Sequence, residues 1–202
     1  MRDFMFFPLA AVLAGVFVTM ALQPWAERVP SGPVSCGECA DPEDRTVDGK
    51  DLHRFVPGNY NGLKIVTPPE GGPPVLRITR NAEETYENPQ SGPNIVIDSD
   101  LEYAFENRPI EVIITARSAG DFPAEKFEAN YYARAEDNGQ SGWKAFDLTP
   151  EFKPYSFTFE TPRYGGVTGY DMLGIRPVAP DKHRVMEVKS VRIHPVGPKK
   201  AS

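Results

Sequence analysis

The stretch Ile110-Glu-Val-Ile-Ile-Thr-Ala-Arg117 decides the fold. Ile110, Val112, Ile114 and Ala116 fall at every second position, and a period of two is that of a strand with one buried face. Residues 127–135 repeat the pattern with Phe127, Ala129, Tyr131 and Ala133 in phase, and Asp137-Asn138-Gly139 then gives a hairpin turn signal. Residues 155–161 carry Tyr155, Phe157 and Phe159 in phase. Shorter apolar runs at 63–66, 75–80, 94–97, 171–176 and 186–194 lie between breaker clusters such as Pro68-Pro-Glu-Gly-Gly-Pro-Pro74 and Asn88-Pro-Gln-Ser-Gly-Pro93. Eight or nine short strands with almost no helical periodicity predict an all-β, antiparallel β-sandwich of jelly-roll type.

Composition agrees and excludes other classes. The chain has 202 residues, 21 of them Pro and 17 Gly, with two Cys. So few cysteines exclude a disulfide-dense scaffold, and so many prolines argue against an all-helical fold. With 22 Lys+Arg against 28 Asp+Glu the net charge is -6, which argues against nucleic acid as a partner. The mean hydropathy of -0.40 averages two different materials.

One of them is the N-terminus. Residues 4–22, FMFFPLAAVLAGVFVTMAL, contain no charge. At about 1.5 Å per residue the run nearly spans a hydrocarbon core of roughly 30 Å, so it predicts a single transmembrane helix. The run is longer than a signal-peptide core, and Trp25 makes a poor cleavage site but suits a membrane–water interface. We therefore read residues 1–25 as an uncleaved signal-anchor in a bacterial inner membrane, with the rest of the chain in the periplasm. Ala11 and Gly15, spaced i, i+4, are small enough to let another membrane helix approach. Residues 26–51 read as a Pro-rich linker, and 52–202 as the β-domain.

The linker carries Cys36-Gly-Glu-Cys39. Haem attachment needs a following His, and residue 40 is Ala. A zinc site needs two further ligands, and His53, His183 and His194 are not spaced to supply them. A local Cys36–Cys39 disulfide is the expectation, with a bridge or metal shared with a partner chain as the alternatives.

Four runs, 110–117, Tyr155-Ser-Phe-Thr-Phe-Glu-Thr-Pro162, Leu173-Gly-Ile-Arg-Pro177 and Val188-Lys-Ser-Val-Arg-Ile193, occur in the order seen in galactose-binding-like jelly rolls, which many carbohydrate-binding modules share. The resemblance covers roughly residues 60–197 and consists of strand patterns, not invariant chemistry. It implies a sugar-binding or complex-holding domain, since the family contains both. It also implies a structural calcium ion as an optional cofactor, although no carboxylate spacing singles out a site.

Catalysis finds little in the sequence. Ser141-Gly-Trp-Lys144 matches Ser-x-x-Lys, but in a β-rich stretch without the partner motifs of penicillin-recognising enzymes. Glu83-Glu84 and the Asp98/Asp100 pair are acidic residues near turns, which solvation explains. We expect no enzyme activity. For binding, the residues out of phase with the core matter: Asn130, Tyr132 and Arg134 in one strand, Arg117 in another, Arg176 in a third, with Trp143 after the turn. An aromatic ring offers a face to sugar C–H bonds, and amides and guanidinium groups pair with vicinal hydroxyls. Several Arg on one face suit an anionic sugar. Two roles follow: an accessory subunit of a cell-envelope membrane complex with glycan-binding capability, or a dedicated carbohydrate-binding module for an envelope polysaccharide.

Overall fold

The computed structural model describes residues 3–22, 29–36, 43–59, 62–84, 88–133, 139–164 and 169–200. Ten strands occur among them: β1 (Arg45–Asp48), β2 (Leu63–Val66), β3 (Val75–Arg80), β4 (Asn94–Ile97), β5 (Pro109–Ser118), β6 (Lys126–Tyr132), β7 (Lys144–Asp147), β8 (Lys153–Glu160), β9 (Asp171–Pro177) and β10 (Arg184–Pro195). Two helices, α1 (Asp3–Leu22) and α2 (Ser99–Phe105), accompany them. The strands form two antiparallel sheets. The larger runs β2-β3-β10-β5-β8, with β1 also on β10, and the smaller runs β4-β9-β6-β7. The expected β-sandwich is therefore present.

The alternating runs do what their period requires. Ile110, Val112, Ile114 and Ala116 of β5 and Phe127, Ala129 and Tyr131 of β6 are each fully buried, and they meet between the sheets. Tyr155, Phe157 and Phe159 of β8 pack against that core along its β7 side, where the Phe127 and Phe146 rings stack 5.0 Å apart. A ring pair of this kind adds about 1 kcal/mol beyond the area it buries.

The sandwich begins earlier than residue 52. Val34, inside the expected linker, is completely buried and forms a parallel bridge to Ile97 at the edge of β4. Its N–H donates to the Val96 carbonyl at 2.8 Å, and its own carbonyl accepts from the Asp98 N–H at 2.8 Å. Arg54 fastens the same strap by donating to the Ser31 and Pro33 carbonyls. Farther on, β1 pairs with β10 and buries Val47. A single apolar residue among prolines and charges has no periodicity, so neither contact shows in the sequence pattern.

α1 forms over the uncharged run, from Asp3 to Leu22. Among the described residues no helix is long and apolar enough to cross a membrane. Ala11 and Gly15 are exposed, and a Cβ added at Gly15 would meet nothing within 4 Å. No described element of the chain packs on them.

Inside the core lies one polar cluster. Glu102 of α2 and Asp171 of β9 are both fully buried. The Tyr131 and Tyr164 hydroxyls donate to Asp171 Oδ2 at 2.8 and 2.5 Å, and the Asp171 N–H donates to Glu102 Oε1 at 2.7 Å. The cluster ties α2, β6, β9 and the chain before β9 together, with Glu102 Oε2 left as a buried oxygen that accepts no hydrogen bond among the described residues.

Candidate ligand-binding face

The outer face of the four-stranded sheet gathers most of the residues singled out above. Residues out of phase with the core point there: Glu128, Asn130 and Tyr132 from β6, Met172, Gly174 and Arg176 from β9, and Asn94 and Val96 from β4. The register sets them in rows. Glu128 stands opposite Arg176, Asn130 opposite Gly174, and Tyr132 opposite Met172. Asn94 and Val96 extend the last two rows on the other side of β9.

The first row is internally neutralised. Arg176 donates through Nε to Glu128 Oε2 at 2.8 Å, and Nη2 lies equally close. Its guanidinium also sits 3.7 Å from the centroid of the Trp143 ring. One face of Trp143 is thus taken by a cation. Trp143 leans toward Gly174, where an added Cβ would lie 3.3 Å from its Cη2 and 2.8 Å from Pro89 Cβ. Pro89 belongs to a short 3₁₀ turn (Pro89–Ser91) laid across the middle row, and Gly174 is the residue that lets it lie there.

Asn130 is only 1% exposed. Its Nδ2 donates to Gln140 Oε1 and its Oδ1 accepts from the Ser141 hydroxyl, both at 3.2 Å. Asn130 therefore fastens the β6–β7 hairpin instead of waiting for a ligand. The same contacts give Ser141 a structural place: its Oγ also accepts from the Tyr131 N–H at 2.9 Å.

The third row is open. Tyr132 is half-buried, and its hydroxyl has no partner among the described residues. Beside Met172 and Val96 lies a depression of about 430 Å³, walled by Val56, Pro57, Gly58, Gln90 and Asn94. None of its lining residues is titratable.

Arg117 does not join this face. It lies on the outer face of the six-stranded sheet, where Nε donates to Glu187 Oε2 at 2.8 Å and Nη1 to Glu70 Oε1 at 2.5 Å. Arg77 holds the other oxygen of Glu187 at 2.6 Å, and Glu187 is fully buried. Phe152 lies under the Arg117 guanidinium at 4.3 Å. The Glu70 carboxyl is held below the usual range by its hydrogen bond from Arg117. The grouping of Arg117 with Arg176 and Tyr132 is thus corrected: the thickness of the sandwich separates them, because a strand's phase does not say to which sheet the strand belongs.

Arg134 and Cys39 lie outside the described residues. Cys36 is disulfide-bonded, and its N–H donates to Asp100 Oδ2 at 2.8 Å. Among the described residues no group of three or more His, Cys, Asp or Glu could hold a metal ion. Gln140, Met172 and Gln90 were missed by the sequence reading, and no signal in their local sequence marks them.

No family model matches the chain, and no curated protein matches it in sequence. The CBM22-2 xylan-binding domain of Paenibacillus barcinonensis Xyn10C superposes with a TM-score of 0.53 at 10% identity, over 75% of this chain and 99% of that one. The likeness is one of fold. The tandem CBM22-1–CBM22-2 structure of the same protein gives 0.51 at 12% identity, over 72% of this chain and 43% of its own. The chain is thus a β-sandwich of the shape used by carbohydrate-binding modules.

Proposed function

We propose that this protein is a non-catalytic glycan-binding module whose ligand lies on the third row of the four-stranded sheet, against Tyr132, Met172 and Val96. One observation carries the reading: Tyr132, whose hydroxyl has no partner among the described residues, stands opposite Met172, and Met172 lines a depression with amide side chains, apolar walls and no titratable lining residue. An aromatic ring beside amides is what C–H stacking and hydroxyl recognition require. The lack of titratable groups there favours binding over general acid–base chemistry.

The ligand is a neutral polysaccharide and not an anionic one. Arg176 is committed to Glu128, and Arg117 is committed to Glu187 and Glu70 on the far side. The xylan-binding domains that share the fold make xylan-type chains the first candidates.

Tethering belongs to the same proposal. The uncharged run at 4–22 and the exposed Val12, Leu13 and Phe17 support α1 as an anchor at a bacterial inner membrane, with the sandwich on the periplasmic side. A second reading, an accessory subunit that docks to other envelope proteins, draws on β2, which ends the larger sheet and has one edge unpaired among the described residues.

The test is calorimetric titration of the full chain with xylohexaose, cellohexaose and polygalacturonate. Binding of a neutral oligosaccharide that Tyr132→Ala removes is expected. Binding of polygalacturonate alone, or of no glycan, would sink the reading.

A further inference from the structure

A larger concavity, about 630 Å³, lies along β2, and Pro57 stands between it and the depression beside Met172, lining both. Leu52, Phe55, Leu63, Ile65 and Val66 give it apolar walls, and His53 and Lys64 stand at it. Its volume is in the range of real binding pockets.

β2 ends the larger sheet, so among the described residues one of its edges is unpaired. The register shows which groups that edge presents. The Thr79 N–H donates to the Gly62 carbonyl at 2.9 Å, which makes Gly62–Thr79 a hydrogen-bonded pair. Hydrogen-bonded and non-bonded pairs alternate in an antiparallel ladder. Lys64–Arg77 and Val66–Val75 are then bonded pairs, while Leu63–Ile78 and Ile65–Leu76 are not. The N–H and C=O groups of Leu63 and Ile65 therefore point outward, into the groove. Such an edge is a template for another strand.

The charge at the groove is also uncommitted. Lys64 and His53 have no ion-pair partner among the described residues. Their neighbours differ: Arg77, opposite Lys64, is held by Glu187, and Arg54 by Asp51. A free cation in an acidic protein, beside unpaired backbone groups and an apolar trough, selects its partner by charge.

We propose that the β2 edge docks an extended segment of a partner protein, added as a further strand, with the pattern apolar–acidic–apolar. Residues of the guest opposite Leu63 and Ile65 face the trough, and the residue between them stands beside Lys64. This site is independent of the glycan reading, and either stands if the other fails.

The probes are fluorescein-labelled Thr-Val-Glu-Val-Thr and Thr-Val-Lys-Val-Thr, followed by anisotropy with the full chain. The glutamate peptide is expected to bind more tightly by about threefold, the size of an exposed charge-pair effect. Lys64→Glu inverts that preference. Ile65→Pro removes the outward N–H without touching a ladder bond and abolishes binding of both. Should Ile65→Pro unfold the chain, a probe with N-methylated valines on the unaltered protein serves instead and must fail to bind. The proposal is overturned if neither peptide binds at millimolar concentration, or if both bind alike and N-methylation has no effect. It is equally overturned if the groove takes dodecanoate but no peptide, or if sedimentation shows a dimer that Lys64→Glu dissolves while no peptide binds.

Discussion

The Arg176 guanidinium lies 3.7 Å from the centre of the Trp143 ring while its Nε contacts Glu128 at 2.8 Å, so a single cation clamps an aromatic ring and a carboxylate. The clamp makes Trp143 a fastener and leaves Tyr132 as the free ring of the face. Trp143→Ala should therefore lower stability by about 1 kcal/mol, the size of a cation–π contact at a partly exposed site. Tyr132→Ala should instead lower glycan affinity by about tenfold or more with little change in melting temperature. Thermal melts and calorimetric titration of the two variants read the difference. The opposite pattern, affinity lost with Trp143 and stability lost with Tyr132, would reverse the assignment.

Gly174 is tolerated for space, not for backbone freedom. A methyl group there would meet Pro89 Cβ at 2.8 Å, and Pro89 sits in a turn with little room to retreat. Gly174→Ala should cost about 1–3 kcal/mol, the usual range for overpacking. Denaturant melts check the cost, and amide exchange of residues 89–92 should rise as the turn lifts. An unchanged melt would mean that the turn is not held against the sheet.

Glu187 tests the separation of the two faces. It is fully buried between Arg77 and Arg117, so Glu187→Gln leaves two guanidinium groups without their shared anion and should cost about 3 kcal/mol. It lies on the six-stranded sheet, across the sandwich from Tyr132, so glycan affinity of the folded variant should not change. A large loss of affinity at constant fold would place the ligand on the wrong sheet here.

Alkaline pH reports on the buried cluster. Burial, and then the neighbouring Asp171 carboxylate, push the Tyr131 phenol well above its usual 10. A group whose folded pKa is raised contributes fully below the unfolded value and loses that contribution as pH rises past it. Stability should thus fall above about pH 10, with this one group adding about 1.4 kcal/mol per pH unit. Tyr131→Phe should be less stable at neutral pH yet show a shallower alkaline decline. Urea melts at several pH values between about 8 and 11 read both slopes. Parallel curves for the two proteins would remove Tyr131 as the source.

Periodicity made the strands legible wherever a run was long enough to show its phase, as at Ile110–Ala116 or Phe127–Ala133. It could not show which sheet a strand joins, and that choice put Arg117 and Arg176 on opposite faces. Nor could it show that Asn130, out of phase with the core, would be covered by Gln140 and Ser141 from the next strand's approach. Both are long-range facts, set by pairing between segments distant in sequence. β7 was missed for a simpler reason: in Lys144–Asp147 only Phe146 reaches the core, and one residue has no period.

The same limit fixes where the domain begins, and that too is testable. Val34 and Val47 are buried by strands of the sandwich, so a fragment starting at residue 52 discards two core side chains together with β1. Each buried valine is worth about 1.5–3 kcal/mol, a large part of a typical domain's stability of about 5–15 kcal/mol. A fragment of residues 29–202 should melt cooperatively near the temperature of the full chain. The 52–202 fragment should melt about 10 °C lower or more, since each kcal/mol shifts a domain of this size by about 2–4 °C. Val34→Ala in the longer fragment isolates the strap and should account for part of the drop. If both fragments melt together, the strap along β4 is an ornament of the fold and not a member of its core.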